Sequence, residues 1–360
     1  MSDSKKGAGS FDGKRILITG GTGSLGKALT RRLLSGEHGK PEKIVIFSRD
    51  EAKQYDMRLG FLNFLAATEE VIYEDSQHIL DFRIGDIRDY QSISSALRQV
   101  DIVVNTAALK QVPSCEYVPS EAVATNINGA TNICRAIENL NLPIETVIGV
   151  STDKACKPIS VMGMTKAIQE RIFITANMHC PDTRFVCVRY GNVLASRGSV
   201  VPLFHSQVGQ GGPVTITTAE MTRFLLPLDH AVDTIVAAYS QARQGEIFVP
   251  RIPAILILNV AKALINGRDI PIKEVGVRPG EKIHEVLVSE DEIYRTSICN
   301  GYFAIQPILP ELSTEDGRKK AFLGNEFSSD YQTISLEETR TLLEKEGLTI
   351  EDQPVFSDFF

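Results

Sequence analysis

The sequence predicts an α/β fold: a Rossmann-like, doubly wound parallel sheet followed by a smaller C-terminal domain. Two observations carry this prediction. Short, almost continuously apolar runs alternate with amphipathic segments through the first half, and a glycine-rich turn directly follows the first apolar run. Strands that are buried on both faces are apolar throughout, and the helices that connect parallel strands are amphipathic. A chain of 360 residues is long enough for both domains.

Six strands and three of the helices can be placed in chain order. The apolar runs predict strands at 15–19, 43–47, 81–84, 102–105, 146–151 and 184–189, and the amphipathic segments predict helices at 26–34, 92–98 and 121–139. From about residue 191 the alternation weakens, and Gly, Pro and Thr become more frequent. We therefore predict a first domain over 11–190 and a second mainly over 191–360, with 226–249 returning to the first.

Composition excludes several classes of protein. The net charge of −7 argues against a nucleic-acid partner, because phosphate backbones favour basic surfaces. Six scattered cysteines and six histidines lack metal-ligand spacing, so we predict no metal site and no disulfide framework. No stretch approaches the ~20 apolar residues of a membrane helix, and the first ten residues lack the apolar core of a signal peptide. We therefore expect a cytoplasmic protein without membrane insertion.

The first turn has the pattern of a dinucleotide-binding loop. An apolar strand leads into the turn and a helix follows it, which distinguishes the loop from an ordinary flexible turn. Glycines let the backbone turn sharply and approach a pyrophosphate, which then lies at the helix N-terminus. The predicted cofactor contacts here are Thr19, Gly20, Thr22, Gly23, Ser24, Leu25 and Gly26.

The end of the second strand favours NADP over NAD. Ser48 and Arg49 stand where an acidic side chain would accept the ribose hydroxyls of NAD, and Lys53 follows. A guanidinium group can pair with a 2′-phosphate, although Asp50 is close by. Two later loops are candidates for the rest of the cofactor, with ordinary loop packing as the alternative; they contain Asp86, Ile87, Ala107 and Ala108.

At these positions the chain resembles the extended short-chain dehydrogenase/reductase superfamily. Four motifs occur in that family's order: Thr19-Gly20-x-x-Gly23-x-x-Gly26, Asn105-x-Ala107-Ala108, Thr125-Asn126-x-x-Gly129 and Ser151-Thr152-Asp153-Lys154. The stretches 47–51, 107–113, 189–200, 221–224 and 278–282 are similar to UDP-N-acetylglucosamine 4,6-dehydratases of polysaccharide and glycoprotein-sugar biosynthesis. The similarity covers about 11–345, including Ser328-Ser329-Asp330 of capsule-type members. It implies a substrate-binding second domain and a homo-oligomer.

The superfamily's proton-transfer tyrosine is replaced by Met162, four residues before Lys166. A thioether cannot accept a proton, but a methionine here also resembles a subset of these dehydratases. The resemblance implies transient oxidation at C4 of the sugar, loss of water across C5 and C6, and return of the hydride to C6. Asp153 would protonate the departing 6-hydroxyl, and Lys154 would remove the C5 proton. Inversion at C5 is left open.

Three further points concern this catalytic group. The resemblance implies that Thr152 binds the 4-oxygen and that Lys166 holds the nicotinamide ribose. The C4-hydroxyl proton would go to Asp153 or to a water held by Lys166. Adjacent residues on a strand point to opposite faces, so Asp153 and Lys154 must lie in a loop beyond the strand end to act together.

The resemblance also assigns the nucleotide-sugar site. Asn192, Arg197, Arg223 and Arg278 would bind the diphosphate, and Glu281 the ribose hydroxyls. Val214 and Thr215 would lie beside the uracil ring. Lys110 would lie near the reacting sugar and the cofactor, and Asn126 is included among the cofactor residues. Two other functions remain open: a UDP-sugar 4-epimerase, and a non-catalytic NADP-sensing protein, which the missing tyrosine would suit.

Overall fold

The computed structural model describes residues 10–66, 79–194, 199–313, 318, 320, 324–352 and 354. Its strands are β1 Arg15–Thr19, β2 Lys43–Ser48, β3 Leu80–Ile84, β4 Ile102–Asn105, β5 Thr146–Val150, β6 Arg184–Val188, β7 Asn192–Val193, β8 Val214–Ile216, β9 Thr222–Leu226, β10 Ile247–Pro250, β11 Ala254–Leu256, β12 Ile272–Glu274, β13 Val286–Val288, β14 Thr296–Cys299, β15 Tyr302–Ile305, β16 Phe327–Ser328 and β17 Thr333–Ile334.

Its α-helices are α1 Ser24–Leu34, α2 Glu51–Ala66, α3 Tyr90–Ala96, α4 Val112–Tyr117, α5 Pro119–Ala122, α6 Gly129–Leu140, α7 Val161–His179, α8 Val200–Gly209, α9 Leu228–Gln241, α10 Ile257–Ile265, α11 Glu290–Ile293 and α12 Leu336–Lys345. A π-helix, Val123–Asn128, lies between α5 and α6, and short 3-10 turns occur at Asp153–Ala155 and Pro310–Leu312.

The largest sheet in the described ranges has nine strands in the order β14-β15-β10-β6-β5-β4-β1-β2-β3. The seven strands from β10 to β3 are parallel, and β15 and β14 add antiparallel strands at one edge. The order β3-β2-β1-β4-β5-β6 is that of a doubly wound dinucleotide-binding sheet. The predicted fold class is confirmed, and all six predicted strands are present.

Two features differ from the sequence prediction. The hairpin β14–β15 belongs to the large sheet although it lies in the part of the chain assigned mainly to the second domain. The predicted helix at 121–139 is divided into α5, the π-helix and α6. This division accompanies a tertiary contact: the carboxamide of Asn126, within the π-helix, binds the backbone of Leu109 at 2.8 and 3.0 Å. Wide turns of this kind occur mostly at functional positions.

A second apolar core lies outside the large sheet. It is formed by α8, α10 and α12 with small strands, and Phe204, Leu264 and Leu343 are at most 2% exposed in it. The chain after α12 continues on the same core, since the ring of His205 lies 2.8 Å from the Leu348 carbonyl oxygen. The segment that contains α9 and β10 instead packs on and within the large sheet. The proposed domain limits remain a prediction.

One buried ion cluster links three elements. Arg189 directly follows β6, is 2% exposed, and bonds Glu170 of α7 and Glu292 of α11, with shortest distances of 2.8 Å to each carboxylate. Burial alone would lower the pKa of Arg189, but the two carboxylates outweigh burial and raise it. Burial alone would raise the pKa of Glu292, but Arg189 outweighs it and lowers the pKa to about 2.

We expect Glu292→Gln to lower the free energy of unfolding at neutral pH by about 3 kcal/mol, because it removes one partner of a buried cation. A carboxyl whose pKa is lowered by folding stabilises the fold above its unfolded value, 4.5, and that contribution is lost as the pH falls towards 2. The difference from the unmodified protein should therefore shrink over this pH window. Urea unfolding measures it.

Glu337→Gln is the matched control, since Glu337 is 79% exposed in its ion pair with Arg340. We expect its effect to stay within about 0.5 kcal/mol. If both substitutions changed the free energy of unfolding equally, the buried cluster would not stabilise the fold more than an exposed ion pair does.

Candidate active site

The glycine turn after β1 fits a dinucleotide. Gly20 has φ +65°, and a Cβ atom there would lie 2.7 Å from Ala107 Cα. A Cβ on Gly26 would lie 2.3 Å from the Gly21 carbonyl oxygen, so neither position accepts a side chain. Helix α1 begins at Ser24, and its N-cap, Gly23, makes no side-chain capping bond. The first amide groups of an eleven-residue helix are therefore available to an anion.

A cavity of about 770 Å³ opens from this turn, at the carboxyl ends of the parallel strands, where such sheets bind their ligands. Most of the residues predicted from the sequence line it. They are Gly20, Thr22, Gly23, Ser24, Leu25, Gly26, Lys53, Ala107, Ala108, Lys110, Thr152, Lys154, Met162, Lys166, Asn192, Arg223, Arg278 and Glu281. The motifs scattered along the sequence therefore share one cavity.

The catalytic candidates lie just beyond β5, as predicted for an Asp–Lys pair that acts together. β5 ends at Val150, and Asp153 begins a short 3-10 turn with Thr152 as its N-cap. The Thr152 hydroxyl donates to Asp153 Oδ1 at 2.8 Å, and Lys154 Nζ lies 3.0 Å from the same oxygen. Asp153 is fully buried, and its Oδ2 has no hydrogen-bond partner among the described residues.

Lys154 lies among three oxygen-bearing side chains. Besides Asp153, its Nζ is 3.0 Å from Asn192 Oδ1 and 3.4 Å from Glu285 Oε1. Burial lowers the pKa of Lys154 and Arg223 opposes its charge, but Asp153 and Glu285 outweigh both and raise it. The resting amine is therefore protonated.

Glu285 was missed from the sequence. It lines the cavity at 1% exposure. The one feature of the sequence that could have indicated Glu285 is its position shortly after the matched stretch 278–282. That position alone does not predict a contact with Lys154. Arg223 brings this segment to the site, because its guanidinium group donates to the carbonyl oxygens of Lys282 and Ile283 at 2.8 and 3.0 Å.

Met162 and Lys166 lie on one face of α7, at 4% and 5% exposure. Met162 packs with Cys115 and Ala122 in a small apolar cluster, so the tyrosine position is occupied by part of the core. Lys166 Nζ donates to the Val150 carbonyl oxygen at 2.6 Å. Burial lowers the pKa of Lys166 to about 8, which makes this amine easier to neutralise than an exposed lysine.

Some of the predicted cofactor residues have side chains engaged elsewhere and do not line the cavity. Thr19 donates to Asn105, and the buried Ser48 hydroxyl accepts from Gln54. Arg49 lies 3.7 Å from Asp86. Ile87 is 5% exposed, and Asn126, at 0%, uses its amide on Leu109 and Thr165.

Some of the predicted nucleotide-sugar residues line the cavity and others do not. Val214 is a core residue of β8, and the Thr215 hydroxyl accepts from Gln207 at 2.7 Å; neither lines the cavity. Glu281 does line it, and its carboxylate accepts from the Arg278 backbone at 3.3 Å. Arg197 lies outside the described residues.

The described residues form neither a membrane-spanning helix nor a metal-binding cluster. No described helix is long and apolar enough to cross a membrane. No group of three His, Cys, Asp or Glu side chains in the same residues is arranged to hold a metal ion.

Comparison with known proteins agrees with this architecture. The fold and the glycine turn define a Rossmann-like α/β protein. The chain belongs to the polysaccharide biosynthesis protein family, whose model matches residues 16–307. The structure of Pen from Bacillus thuringiensis superimposes with a TM-score of 0.83 at 33% identity, over 94% of this chain and 99% of that one.

Curated relatives carry two different activities in their names. A UDP-glucose 4-epimerase of Rickettsia typhi is 43% identical over 92% of this chain and 96% of its own length. A UDP-N-acetylglucosamine 4,6-dehydratase (inverting) of Campylobacter jejuni is 41% identical over 85% and 86%. DesIV of Streptomyces venezuelae, a dTDP-glucose 4,6-dehydratase with NAD bound, shares the fold with a TM-score of 0.63 at 21% identity, over 75% of this chain and 86% of that one.

We expect Gly20→Ala to weaken binding of a nicotinamide dinucleotide at least about tenfold, because the added methyl group would push the turn away from Ala107. Titration followed by the fluorescence of the reduced cofactor itself measures the dissociation constant, since the chain has no tryptophan. Gly60→Ala is the control, since a Cβ at Gly60 would meet no atom within 4 Å. Unchanged affinity in Gly20→Ala, with the fold intact by circular dichroism, would refute the turn as the cofactor site.

Proposed function

We propose that this protein is an NADP-dependent 4,6-dehydratase that acts on UDP-N-acetylglucosamine. The observation that carries the proposal is the Asp153–Lys154 pair, 3.0 Å apart. Asp153 is fully buried, and Lys154 lines the cavity that starts at the glycine turn. An acid and a base held together are what removal of water across C5 and C6 requires. The Campylobacter jejuni relative with this activity supports the same assignment.

Bound NADP would supply the reversible hydride acceptor, taking the hydride from C4 and returning it to C6. The glycine turn would hold its pyrophosphate at the start of α1. Arg49, together with Lys53 on the first turn of α2, would bind the 2′-phosphate. Arg49 already lies 3.7 Å from the carboxylate of Asp86, so a phosphate would compete with that carboxylate for the guanidinium group.

The chain's own residues balance the protons. The Asp153 carboxylate would accept the proton of the C4 hydroxyl and later give it to the departing 6-hydroxyl, so that water leaves. Lys154, after releasing its resting proton to solvent, would take the proton from C5, which the C4 ketone makes acidic, and would return a proton to C5 at the end. Thr152, 2.8 Å from Asp153, would bind the 4-oxygen. Each group ends the cycle as it began.

The replacement of tyrosine by Met162 is consistent with this scheme. Met162 cannot transfer a proton, so Asp153 would do so at C4. Lys166 would hold the nicotinamide ribose. Its pKa of about 8 leaves it largely charged at neutral pH, so it would also favour the negative oxygen that forms at C4.

A UDP-sugar 4-epimerase is the second candidate, favoured by relatives such as that of Rickettsia typhi at 43% identity. An epimerase also oxidises C4, but the hydride returns to the same carbon. Nothing is removed at C5 or C6, so Asp153 would act only at C4 and Lys154 would have no proton to take from C5. A non-catalytic NADP sensor would leave both that pair and the diphosphate-binding candidates without a function.

Incubation with UDP-N-acetylglucosamine in D₂O, followed by NMR, separates these functions. We expect a 4-keto-6-deoxy sugar with solvent deuterium at C5, and we expect Lys154→Ala to form none of it, a loss of at least about 10³-fold. UDP-N-acetylgalactosamine without deuterium at C5 would indicate the epimerase, and no product from this substrate or from UDP-glucose would indicate the sensor. Lys157→Ala is the control, because Lys157 is 40% exposed and pairs with Glu326 away from the cavity.

We expect Arg49→Ala to weaken NADP binding about tenfold and to leave NAD binding nearly unchanged, because only NADP carries the 2′-phosphate. Calorimetric titration with each cofactor measures both constants. The control is Arg98→Ala, an exposed arginine after α3 that does not line the cavity. Parallel loss of both affinities, or tighter binding of NAD in the unmodified protein, would contradict the NADP preference.

A further inference from the structure

We propose that Glu285 is a positioning residue for Lys154: it orients the amine towards the sugar and stabilises the ammonium ion that forms when Lys154 takes the C5 proton. The inference deepens the proposed dehydratase function and rests on it. It also gives a role to the segment around Ser328, Ser329 and Asp330, which the sequence motifs left without a task.

Three side-chain oxygens surround the amine of Lys154. Asp153 Oδ1 and Asn192 Oδ1 each lie 3.0 Å from Nζ, and Glu285 Oε1 lies at 3.4 Å. The contacts to Asp153 and Asn192 are hydrogen bonds, and the contact to Glu285 is an ion pair, so all three oxygens favour the protonated amine. A neutral amine keeps two N–H groups for these oxygens and has one lone pair, which is the site that would accept a substrate proton.

The backbone of Glu285 is fixed on both sides by one serine. Its amide donates to Ser329 Oγ at 2.9 Å, and the Ser329 amide donates back to the Glu285 carbonyl oxygen at 2.8 Å. Thr222 of β9 holds the same serine hydroxyl at 2.7 Å. Ser329 is fully buried, so this contact is shielded from water. The carboxylate therefore approaches Lys154 from a rigid support.

The second carboxylate oxygen of Glu285 can interact with a positive charge that forms nearby. Oε2 is buried and has no hydrogen-bond partner among the described residues. The nearest cation recorded for it is Lys282, whose Nζ lies 3.5 Å away and donates to the Cys156 carbonyl oxygen. A carboxylate with one weakly paired oxygen in a buried position interacts strongly with any new positive charge beside it.

The charges that face Lys154 determine the sign of the effect. Asp153 and Glu285 raise the pKa of Lys154, whereas burial and Arg223 lower it. Replacing Glu285 by a neutral isostere removes one of the two raising charges. The amine of that variant should therefore lose its proton at lower pH than in the unmodified protein.

The step itself balances as follows. The C5–H bond breaks and an N–H bond forms on neutral Lys154. The electron pair left at C5 forms the C5=C6 double bond as the 6-hydroxyl leaves with the proton of Asp153 as water. Lys154 becomes positive in this step, so Glu285 stabilises its product. Without Glu285 the maximal rate should be lower, because the ammonium product is less stabilised. On the acidic limb the larger share of neutral base offsets this loss.

The test compares Glu285→Gln with Glu290→Gln, a matched substitution at a side chain that is 69% exposed on the same segment. The rate of 4-keto-6-deoxy product formation is measured from pH 5 to 11, because the pKa of Lys154 is raised above its usual value in the unmodified protein. We expect Glu285→Gln to lower the maximal kcat at least about tenfold and to move the acidic limb of the profile down by about one to three pH units. Glu285→Asp, which keeps the charge, should restore part of the rate and of the limb.

The outcomes are distinguishable. A lower rate with an unmoved acidic limb would make Glu285 merely structural and overturn the proposal, as would a Glu285→Gln profile equal to the control. If the unmodified protein itself forms no 4-keto-6-deoxy product, the proposed function fails, and the role of Glu285 at C5 fails with it. NMR titration of 13Cε-labelled lysine, with Lys154→Arg for assignment, then still reports whether Glu285 raises the pKa of Lys154.

If Glu285→Gln does not fold, Glu285→Asp tests the distance from Lys154 instead: the carboxylate is one methylene further away, and both the maximal rate and the acidic limb should fall, by less than on loss of the charge.

Discussion

The constraint on which the rest of the site depends is the buried cation of Arg189. Its guanidinium group binds Glu170 and Glu292 at 2.8 Å each, and Glu170 also accepts from the Ser151 hydroxyl at 2.5 Å. One charge thereby fixes the start of the Thr152–Lys154 loop, the helix that carries Met162 and Lys166, and the segment after Glu285. Removing a single member would leave a buried charge uncompensated, so the cluster is retained as a unit.

The candidate catalytic residues come from two distant parts of the chain. The loop after β5 supplies Thr152, Asp153 and Lys154 within three consecutive residues, and the far part of the chain supplies Glu285. Arg223 joins these parts through the backbone of residues 282 and 283, while its charge opposes that of Lys154. The charge state of the lysine therefore reflects the packing of the second part of the chain on the first. Met162 adds an apolar wall to this group.

Local pattern was sufficient for much of this structure. Apolar runs identified the strands from β1 to β6, and the strand–turn–helix context identified the glycine turn, because both depend on neighbouring residues. The placement of Asp153 and Lys154 beyond a strand end followed from the alternation of side chains. The role of Glu285, the addition of β14 and β15 to the large sheet, and the division of 121–139 could not be obtained in this way. Each depends on a partner distant in sequence, such as Ser329, β10 or Leu109. The spacing of motifs also cannot show that a side chain is already hydrogen-bonded inside the protein, as those of Ser48 and Asn126 are.

The late position of Glu285 in the chain has a consequence for synthesis. Strands β1 to β6 and the glycine turn are complete by residue 188, and domains generally begin to fold from the N-terminus while the ribosome is still at work. Glu285 is held by Ser329, which emerges much later. A nascent chain can thus form the dinucleotide turn well before Lys154 meets its second carboxylate. Maturation of this centre is therefore tied to completion of the polypeptide, and a truncated product would bear the nucleotide fold without the full charge environment of the lysine.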